Sequence, residues 1–474
     1  MMSFETILLM RNELILTIIA LLVLGSEIFT RESRKKSISA LAIILFVIHT
    51  VIGFLHFPEG SAFGGMYQAG PLTSMMKNIL NIGVLIVLIQ SVKWLHNEEN
   101  RVKISEYYLL LLSTLIGMGF MISSGDFLMF YLGLETATIP LAALAAYDRY
   151  KNKSAEAGAK FILSSALSSG ILLFGLSMMY GMTGSFYFSE LSPLVNTSAL
   201  QVLAFIFFFS GMAFKISIVP FHLWTADVYE GSPVNIASYL SVISKGAAVF
   251  IFTMILFKVF APVAPMWKNV IYVTAVLTMT IGNLFALRQK NLKRYLAFSS
   301  IAQAGFILLG IIAGTPLGMT TVIYFVLVYI FSNLAAFGVV AVISEVTGKE
   351  TIDDLDGFYK TNPKLSLVLM LALFSLAGIP PVAGFFGKFF LFTAAAQQGY
   401  YILVLIAVLN TIISLYYYLL PVKAMFINKN ELPIPYFKSD NMTRLGLLIC
   451  SLGIAATGFI SLLFDQILSL SFGL

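Results

Sequence analysis

Apolar runs of about 20 residues follow one another along this chain, separated by short polar breaks, and each run is long enough to cross the roughly 30 Å hydrocarbon layer of a bilayer as a helix. In hydrocarbon a backbone must satisfy its own polar groups, which restricts spanning segments to helices or closed barrels. The runs cover residues 9–30, 38–57, 73–95, 105–123, 126–146, 156–182, 200–224, 232–260, 268–287, 294–313, 318–345, 363–396, 400–421 and 445–468, roughly fourteen spans. Composition agrees: 59% of residues are hydrophobic and only 11% are charged, against about 25% charged in soluble domains. The expected fold class is an all-α polytopic membrane protein. The opening stretch "MMSFETILLMRNELILTIIALLVLGSEIF" carries acidic Glu5 where a signal peptide would be basic. Its apolar part is long enough to span, so it reads as a retained first helix.

Loop charge sets the orientation. "RESRKKS" (31–37), "NEENRVK" (97–103), "YDRYKNK" (147–153), "RQKNLKR" (288–294), "VTGKETIDDLDGFYKTNPK" (346–364) and residues 422–444 hold most of the Lys and Arg. They fall on alternate loops, and the intervening loops 58–72 and 183–199 have neither. The positive-inside rule places the basic loops in the cytoplasm and both termini outside. The net charge of +6 follows from this arrangement, and a nucleic-acid partner is not expected. One cytoplasmic loop, "TADVYEG" (225–231), is acidic instead.

Several chemistries are excluded. Cys450 is the single cysteine, too few for an iron–sulfur cluster or an internal disulfide. The histidines are His49, His56, His96 and His222. His49 and His56 share a helix face, but no pair on two helices suggests a haem clamp. No phosphate-cradling glycine loop is present. A redox centre or a nucleotide motor within this chain is therefore not expected.

Charges inside the spans are the strongest functional signal. Glu135 lies in "FYLGLETATIPLAAL", Lys160 in "EAGAKFILSSALSSG", Lys215 in "GMAFKISIVPFHLW", Lys245 in "YLSVISKGAAVF" and Lys388 in "AGIPPVAGFFGKFF". A charge at mid-membrane costs about 2.5–3.5 kcal/mol on insertion scales, and a cost repeated this often points to function. The competing reading is a set of buried ion pairs that only pin helices together. That reading is strongest for Lys160, because Glu156 stands four residues before it. Glu13, Glu27 and Asp465 lie near helix ends and read as end charges.

Proline marks two of these segments. Pro220 follows Lys215, and Pro380 and Pro381 precede Lys388 among Gly378, Gly384 and Gly387. Proline removes a backbone donor and clashes with the preceding turn, so both segments read as broken helices. The breaks fall in the fourth helix of two five-span units, helices 4–8 and 9–13. Five is odd, so the second unit enters the membrane from the opposite face, which gives inverted repeats of the kind secondary transporters use. The divisions read as 1–104, a three-helix segment; 105–262, the first repeat; 263–427, the second; and 428–474, a C-terminal helix.

At this point whole phrases carry a resemblance. "FYLGLETATIPLAALAAYDR", "SAEAGAKFILSSALSSGILLFGLSMMYGMTGS", "GMAFKISIVPFHLWTADVYEGSPVNIASYLSVISKGAAVF", "NLFALRQKNLKRYLAFSSIAQAGFILLG" and "SLAGIPPVAGFFGKFFLF" closely resemble the antiporter-like membrane subunits of bacterial NADH–quinone oxidoreductase, respiratory complex I. The likeness runs from about residue 100 to 400. Within that group "DVYEG" and "FSSIAQAGF" look more like the subunit N family than like subunits L and M or the Mrp-type cation/proton antiporter subunits. The lateral C-terminal helix of subunit L has no counterpart.

The resemblance implies roles. Glu135 matches the glutamate expected to pair with the lysine of the broken seventh helix, here Lys215. Lys245 matches a relay lysine, Lys388 a lysine on the outward path, and Lys160 the sixth-helix lysine. Gln303 stands where many relatives have histidine, and glutamine can order water but cannot take up a proton at ordinary pH. Ser217, Thr138, Ser241 and Ser244 are candidate water ligands, and Asp227 and Glu230 read either as a partner contact or as charges capping a turn. The implied function is proton translocation in a bacterial inner membrane, driven by electron transfer from NADH to quinone. FMN, iron–sulfur clusters and the NADH and quinone sites would lie on other subunits, with subunits M, K and J as neighbours and membrane lipid around them. The alternatives are an Mrp-type antiporter subunit, a structural scaffold and a solute carrier.

Overall fold

The computed structural model describes residues 4–30, 35–55, 58–460 and 462–471. His56 and residues 31–34 of the first basic loop lie outside them. After a short helix, Phe4–Leu9, the spans are α1 (Arg11–Phe29), α2 (Lys36–Leu55), α3 (Pro71–Leu95), α4 (Ile104–Ile122), α5 (Phe127–Ala145) and α6 (Asn152–Thr183). Next come α7 (Ala199–Ile216), α8 (Leu223–Gly231) and α9 (Val234–Lys258). The rest are α10 (Ala264–Ala286), α11 (Leu292–Ala313), α12 (Pro316–Thr347), α13 (Pro363–Ala377), α14 (Ala383–Gln397), α15 (Tyr401–Phe426), α16 (Asn441–Phe459) and α17 (Leu462–Ser471). With α7–α8 and α13–α14 each taken as one broken span, α1 to α16 make the expected fourteen.

Local chemistry starts these helices where the chain enters the bilayer. Asp126 caps α5 by accepting from Met129 N at 2.8 Å. Asn291 accepts from Lys293 N and Arg294 N at the start of α11, and Thr315 caps α12 just before Pro316 at its first position. Capping side chains supply partners for amides that have none inside the helix. α11 and α12 are buried almost from end to end. They are apolar on most of their circumference, as a helix at the centre of a bundle must be, with Ser299, Ser300, Gln303 and Asn333 among the buried polar exceptions. The outer spans keep one face for lipid, as in α15, where Tyr401, Ile402, Leu405, Leu409 and Ile412 are exposed. Close approach of α4 and α5 depends on Gly117 and Gly133, where a Cβ would meet Ala137 N at 2.4 Å and Met121 N at 2.5 Å.

Loops alternate between two ends. At one end Gln68 N bonds Ser123 O, Gly125 N bonds Met66 O, and Phe127 N bonds Phe186 O. At the other, Leu292 N bonds Glu350 O, Ile352 N bonds Lys290 O, and Gly357 N bonds Ala424 O. The lysine-rich loops share the second end. α4 and α10 therefore enter the bundle from opposite faces, and α4–α9 and α10–α15 are inverted five-span units.

Both units break in the same way. α7 stops at Ile216, Ser217 takes the left-handed conformation at φ 67°, and Ile218 N bonds Ala213 O at 2.8 Å. α13 stops at Ala377, Gly378 sits at φ 85°, and Ile379 N bonds Phe374 O at 3.0 Å. Pro220 and Pro381 each follow a cis peptide bond three residues past the left-handed residue. Lys215 lies before its break and Lys388 after its own.

Three features depart from the expectation. The final run, 445–468, is two helices: α16 ends at Ile460 in extended backbone, where Gly458 abuts Ala383 N at the second break, and α17 continues from Leu462. A small antiparallel hairpin, β1 (Gly60–Ala62) with β2 (Tyr67–Ala69), folds in the loop before α3. Glu13 is no simple end charge. It is buried and pairs with Lys77 of α3 at 2.5 Å, while Tyr67 OH donates to its second oxygen at 2.9 Å. Lys77 was hidden in sequence because it sits near the start of its span.

Removing one partner of such a pair leaves an orphaned charge at about 3–5 kcal/mol. Lys77→Met should therefore lower the thermal stability of the assembled protein markedly. The double variant Glu13→Gln/Lys77→Met should recover part of the loss in the same melting measurement.

Candidate functional site

Lys215, Lys245 and Lys388 are buried within the bundle, Lys215 and Lys388 beside the two breaks and Lys245 at the seam where α9 of the first unit meets α11 of the second. Lys215, in the last turn of α7, is buried and donates to Thr138 Oγ1 of α5 at 2.7 Å. Glu135 lies one turn earlier on α5. Its carboxylate makes no ion pair with Lys215 within 4 Å, although its charge still acts on the lysine. Glu135 is half-buried, and its Oε1 is enclosed without a hydrogen-bond partner. The break beside Lys215 is held by side chains: Trp224 Nε1 donates to Phe214 O at 3.0 Å, Val219 N donates to Thr278 Oγ1, and Thr225 donates to Ser217 Oγ at 2.7 Å.

Lys245 follows a π-helical turn, Leu240–Ser244. Such turns place one extra residue in the helix and are frequent at functional positions. Lys245 donates to Ser300 Oγ of α11 at 2.8 Å and stands 5.5 Å from the ring centre of Tyr229. The small cavity beside it is bounded by Ile216, Ser300 and Tyr329, so it reaches the residue next to Lys215. Ser241, inside the π turn, donates to Asn333 Oδ1 at 3.2 Å and meets Tyr329 OH at 3.2 Å. Ser244 is only half-buried and stands outside this hydrogen-bond network.

The second unit continues the polar line. Gln303, one turn after Ser300 on α11, donates to Leu376 O at 3.0 Å and to Tyr418 OH at 3.0 Å. Its Oε1 is buried with no partner. Tyr418 also bonds Ser299, at 2.5 Å. Lys388 donates to Ala377 O, a carbonyl freed by the second break, at 3.0 Å, and lies 4.6 Å from the Phe306 ring centre.

Lys160 stands apart. It is half-exposed and bonded to Glu156 at 2.7 Å and Asp227 at 2.8 Å. Asp227 and Glu230 do not cap the start of α8. They sit beyond its first turn and both bind Arg294 of α11, at 2.7 and 3.1 Å, while Lys153 reaches Glu230 at 3.4 Å. This network ties the second half of the broken span to α6 and α11. Beside it opens a polar cleft of about 700 Å3, lined by Glu230, Ser232, Asn235, Lys293, Glu345 and Glu350. At Glu350, burial pushes the carboxyl up, but Lys293, 3.1 Å away, outweighs that and holds it below the usual range.

Sequence reasoning missed His222, Tyr229, Ser300, Asn333 and Tyr418. His222 is buried with Nδ1 unpartnered. Ser300 and Gln303 stand at helical spacing in "FSSIAQAGF", and Tyr329 and Asn333 do so in "VYIFSN". That spacing was the available signal. Among the described residues no three His, Cys, Asp or Glu side chains converge as they would on a metal ion.

A bundle of inverted units, with buried lysines strung through two helix breaks, defines a polytopic membrane protein of the antiporter-like class. Residues 124–414 match the family described as NADH:quinone oxidoreductase/Mrp antiporter, TM. NADH-quinone oxidoreductase subunit N of Phocaeicola vulgatus is 53% identical over 461 residues, 97% of this chain and 98% of that one. A chain of respiratory complex I from Thermus thermophilus is 28% identical and superposes with a TM-score of 0.80, covering 94% of this chain and 96% of its own. A chain of the Mrp complex from Dietzia shares the fold at a TM-score of 0.83, with 20% identity and coverage of 99% and 96%. The chain belongs to the NADH:quinone oxidoreductase/Mrp antiporter membrane-subunit family.

The ion network predicts a local effect. Asp227→Asn removes a partner of both Lys160 and Arg294, and amide hydrogen exchange across 223–231 should rise several-fold at neutral pH while the core of α11 stays protected. High salt should reproduce part of that rise in the unaltered protein.

Proposed function

We propose that this chain is the subunit-N-type membrane-arm component of a NADH–quinone oxidoreductase and moves protons across a bacterial inner membrane while other subunits pass electrons from NADH to quinone. FMN, iron–sulfur clusters and the quinone site belong to those subunits. Neighbours of the M, K and J type flank the chain, and both of its termini face outward. The observation that carries this reading is the buried polar line from Lys215 and Thr138, through Lys245 and Ser300, to Gln303, the freed carbonyls of Leu376 and Ala377, and Lys388.

The chemistry follows from what these groups can do. Burial disfavours a charged amine, and a nearby carboxylate favours it. A lysine that changes partners can therefore load and release a proton. Glu135 acts as the counter-charge of Lys215. Lys245 hands protons between the two units, and the unpartnered Gln303 Oε1 orders water on the way to Lys388, which releases outward. The cleft at the lysine-rich end takes protons up and leads by Asn235 to Ser241. Lys160 serves as an anchor for α8, consistent with its exposed, multiply paired position. Energy arrives through contacts with neighbouring subunits.

The decisive test is at Lys245. Arginine keeps the charge but does not release a proton at ordinary pH. Lys245→Arg and Lys245→Met should both reduce quinone-reductase-linked proton pumping by about a hundredfold or more, the size of a lost proton-transfer group. Pumping is read in vesicles, with assembly verified by native electrophoresis. Wild-type pumping in both assembled variants would remove Lys245 from the path.

Gln303 supplies a second test. Gln303→His should be tolerated, whereas Gln303→Leu removes both the amide donor and the free acceptor and should slow pumping several-fold. A silent Gln303→Leu variant would place the path elsewhere.

A further inference from the structure

A groove of about 540 Å3 opens between the start of α13, the loop 427–440 and the start of α16. Its mouth carries Lys364, Lys438 and Arg444, and no carboxylate lines it. All three cations are exposed, and none has an acidic partner within 4 Å among the described residues. Arg444 donates only to Ser439 Oγ, at 3.2 Å. Asp440 stands next to them but is occupied: its two oxygens accept from Thr443 N at 2.9 Å and Thr443 Oγ1 at 2.6 Å as the cap of α16. This differs from Lys160 and Arg294 elsewhere on the lysine-rich surface, each of which is matched by two acids.

Below the mouth the groove turns apolar. Leu365 and Val368 of α13 and Leu447 and Leu448 of α16 form its walls, and Ser451 marks its depth. Arg444 to Ser451 spans about 10 Å along the helix axis. Next to the groove, Leu367, Leu445, Leu448 and Leu452 are exposed on the lipid-facing surface. Three unpaired cations at the membrane boundary, over an apolar channel open to hydrocarbon, complement a molecule with an anionic head and apolar tails. Soluble anions would gain nothing from the lower half.

We propose that this groove is a binding site for an anionic phospholipid, whose phosphate meets Lys364, Lys438 and Arg444 while one acyl chain lies between α13 and α16. Three cations suit a diphosphate lipid better than a monophosphate one. Bound there, the lipid joins α13, the first half of the second broken span, to α16 and so stabilises the region that supports Lys388.

The test uses the purified intact complex in nanodiscs, with a photoactivatable phosphatidylglycerol as probe and peptide mass spectrometry as readout. Labelling should concentrate in residues 362–368 and 436–451. Diphosphatidylglycerol should compete it away, while phosphatidylcholine and inorganic phosphate should not. Lys364→Gln/Lys438→Gln/Arg444→Gln should reduce the labelling by about a hundredfold, at about fivefold for each charge. The competition arm needs only the unaltered complex, so a variant that assembles poorly does not decide the outcome. Three results overturn the proposal. They are equal labelling by a phosphatidylcholine probe, competition by inorganic phosphate, and absence of label from both segments because a neighbouring subunit covers the groove.

Discussion

A carbonyl freed inside a membrane must find a donor, and this structure is organised around the two places where that happens. The breaks after Ile216 and Ala377 release backbone oxygens at depths where no bulk water is available. Trp224 takes one at the first break, and Gln303 and Lys388 take others at the second. Each of these donors is thereby fixed in position and orientation. α11 must lie against the second break for Gln303 to reach it, which brings Ser300, one turn away, to Lys245 on α9. The seam between the units follows from how the breaks are satisfied.

The same constraint explains why the polar groups form a line rather than isolated spots. A lone ammonium in hydrocarbon is costly, and hydroxyls and amides on neighbouring helices offset part of that cost. Ser300 and Tyr329 meet α9 across the seam, while Thr138 meets Lys215 within the first unit and Tyr418 meets Gln303 within the second. The Glu13–Lys77–Tyr67 cluster, between α1, α3 and β2, obeys the same rule, and there charge meets charge directly. The two arrangements differ in what they permit. A closed ion pair holds helices together, whereas lysines resting on neutral hydroxyls can change partners at small cost.

Much of this was legible in the letters. Span number and the two breaks followed from apolar run length and from proline beside glycine, because lipid leaves the backbone few options. Lys215, Lys245 and Lys388 announced themselves as charges in apolar runs, and all three are buried. Partner choice was not legible. At contact distance Lys215 meets Thr138, one turn along the same helix from Glu135, a choice between neighbouring positions of one helix face that the letters do not encode. Lys160 read as a span charge near the cytoplasmic end with Glu156 as partner; Glu156 does meet it, and Asp227 of α8 is the partner the letters did not show. The π-helical turn before Lys245 leaves no mark in the sequence at all.

The two breaks share one local geometry, but the charges around them do not repeat. Ten residues past the left-handed residue stands Asp227 in the first unit and Lys388 in the second; two residues before it stand Lys215 and Leu376. Because the units run in opposite directions, Lys215 and Lys388 end up on the same side of their respective breaks. A scaffold with perfect pseudo-twofold symmetry would look identical from both faces of the membrane and could not favour one direction of travel. Here the two breaks keep one backbone geometry while Lys215, Asp227, Leu376 and Lys388 differ around them, so the two faces of the membrane do not meet the same charges.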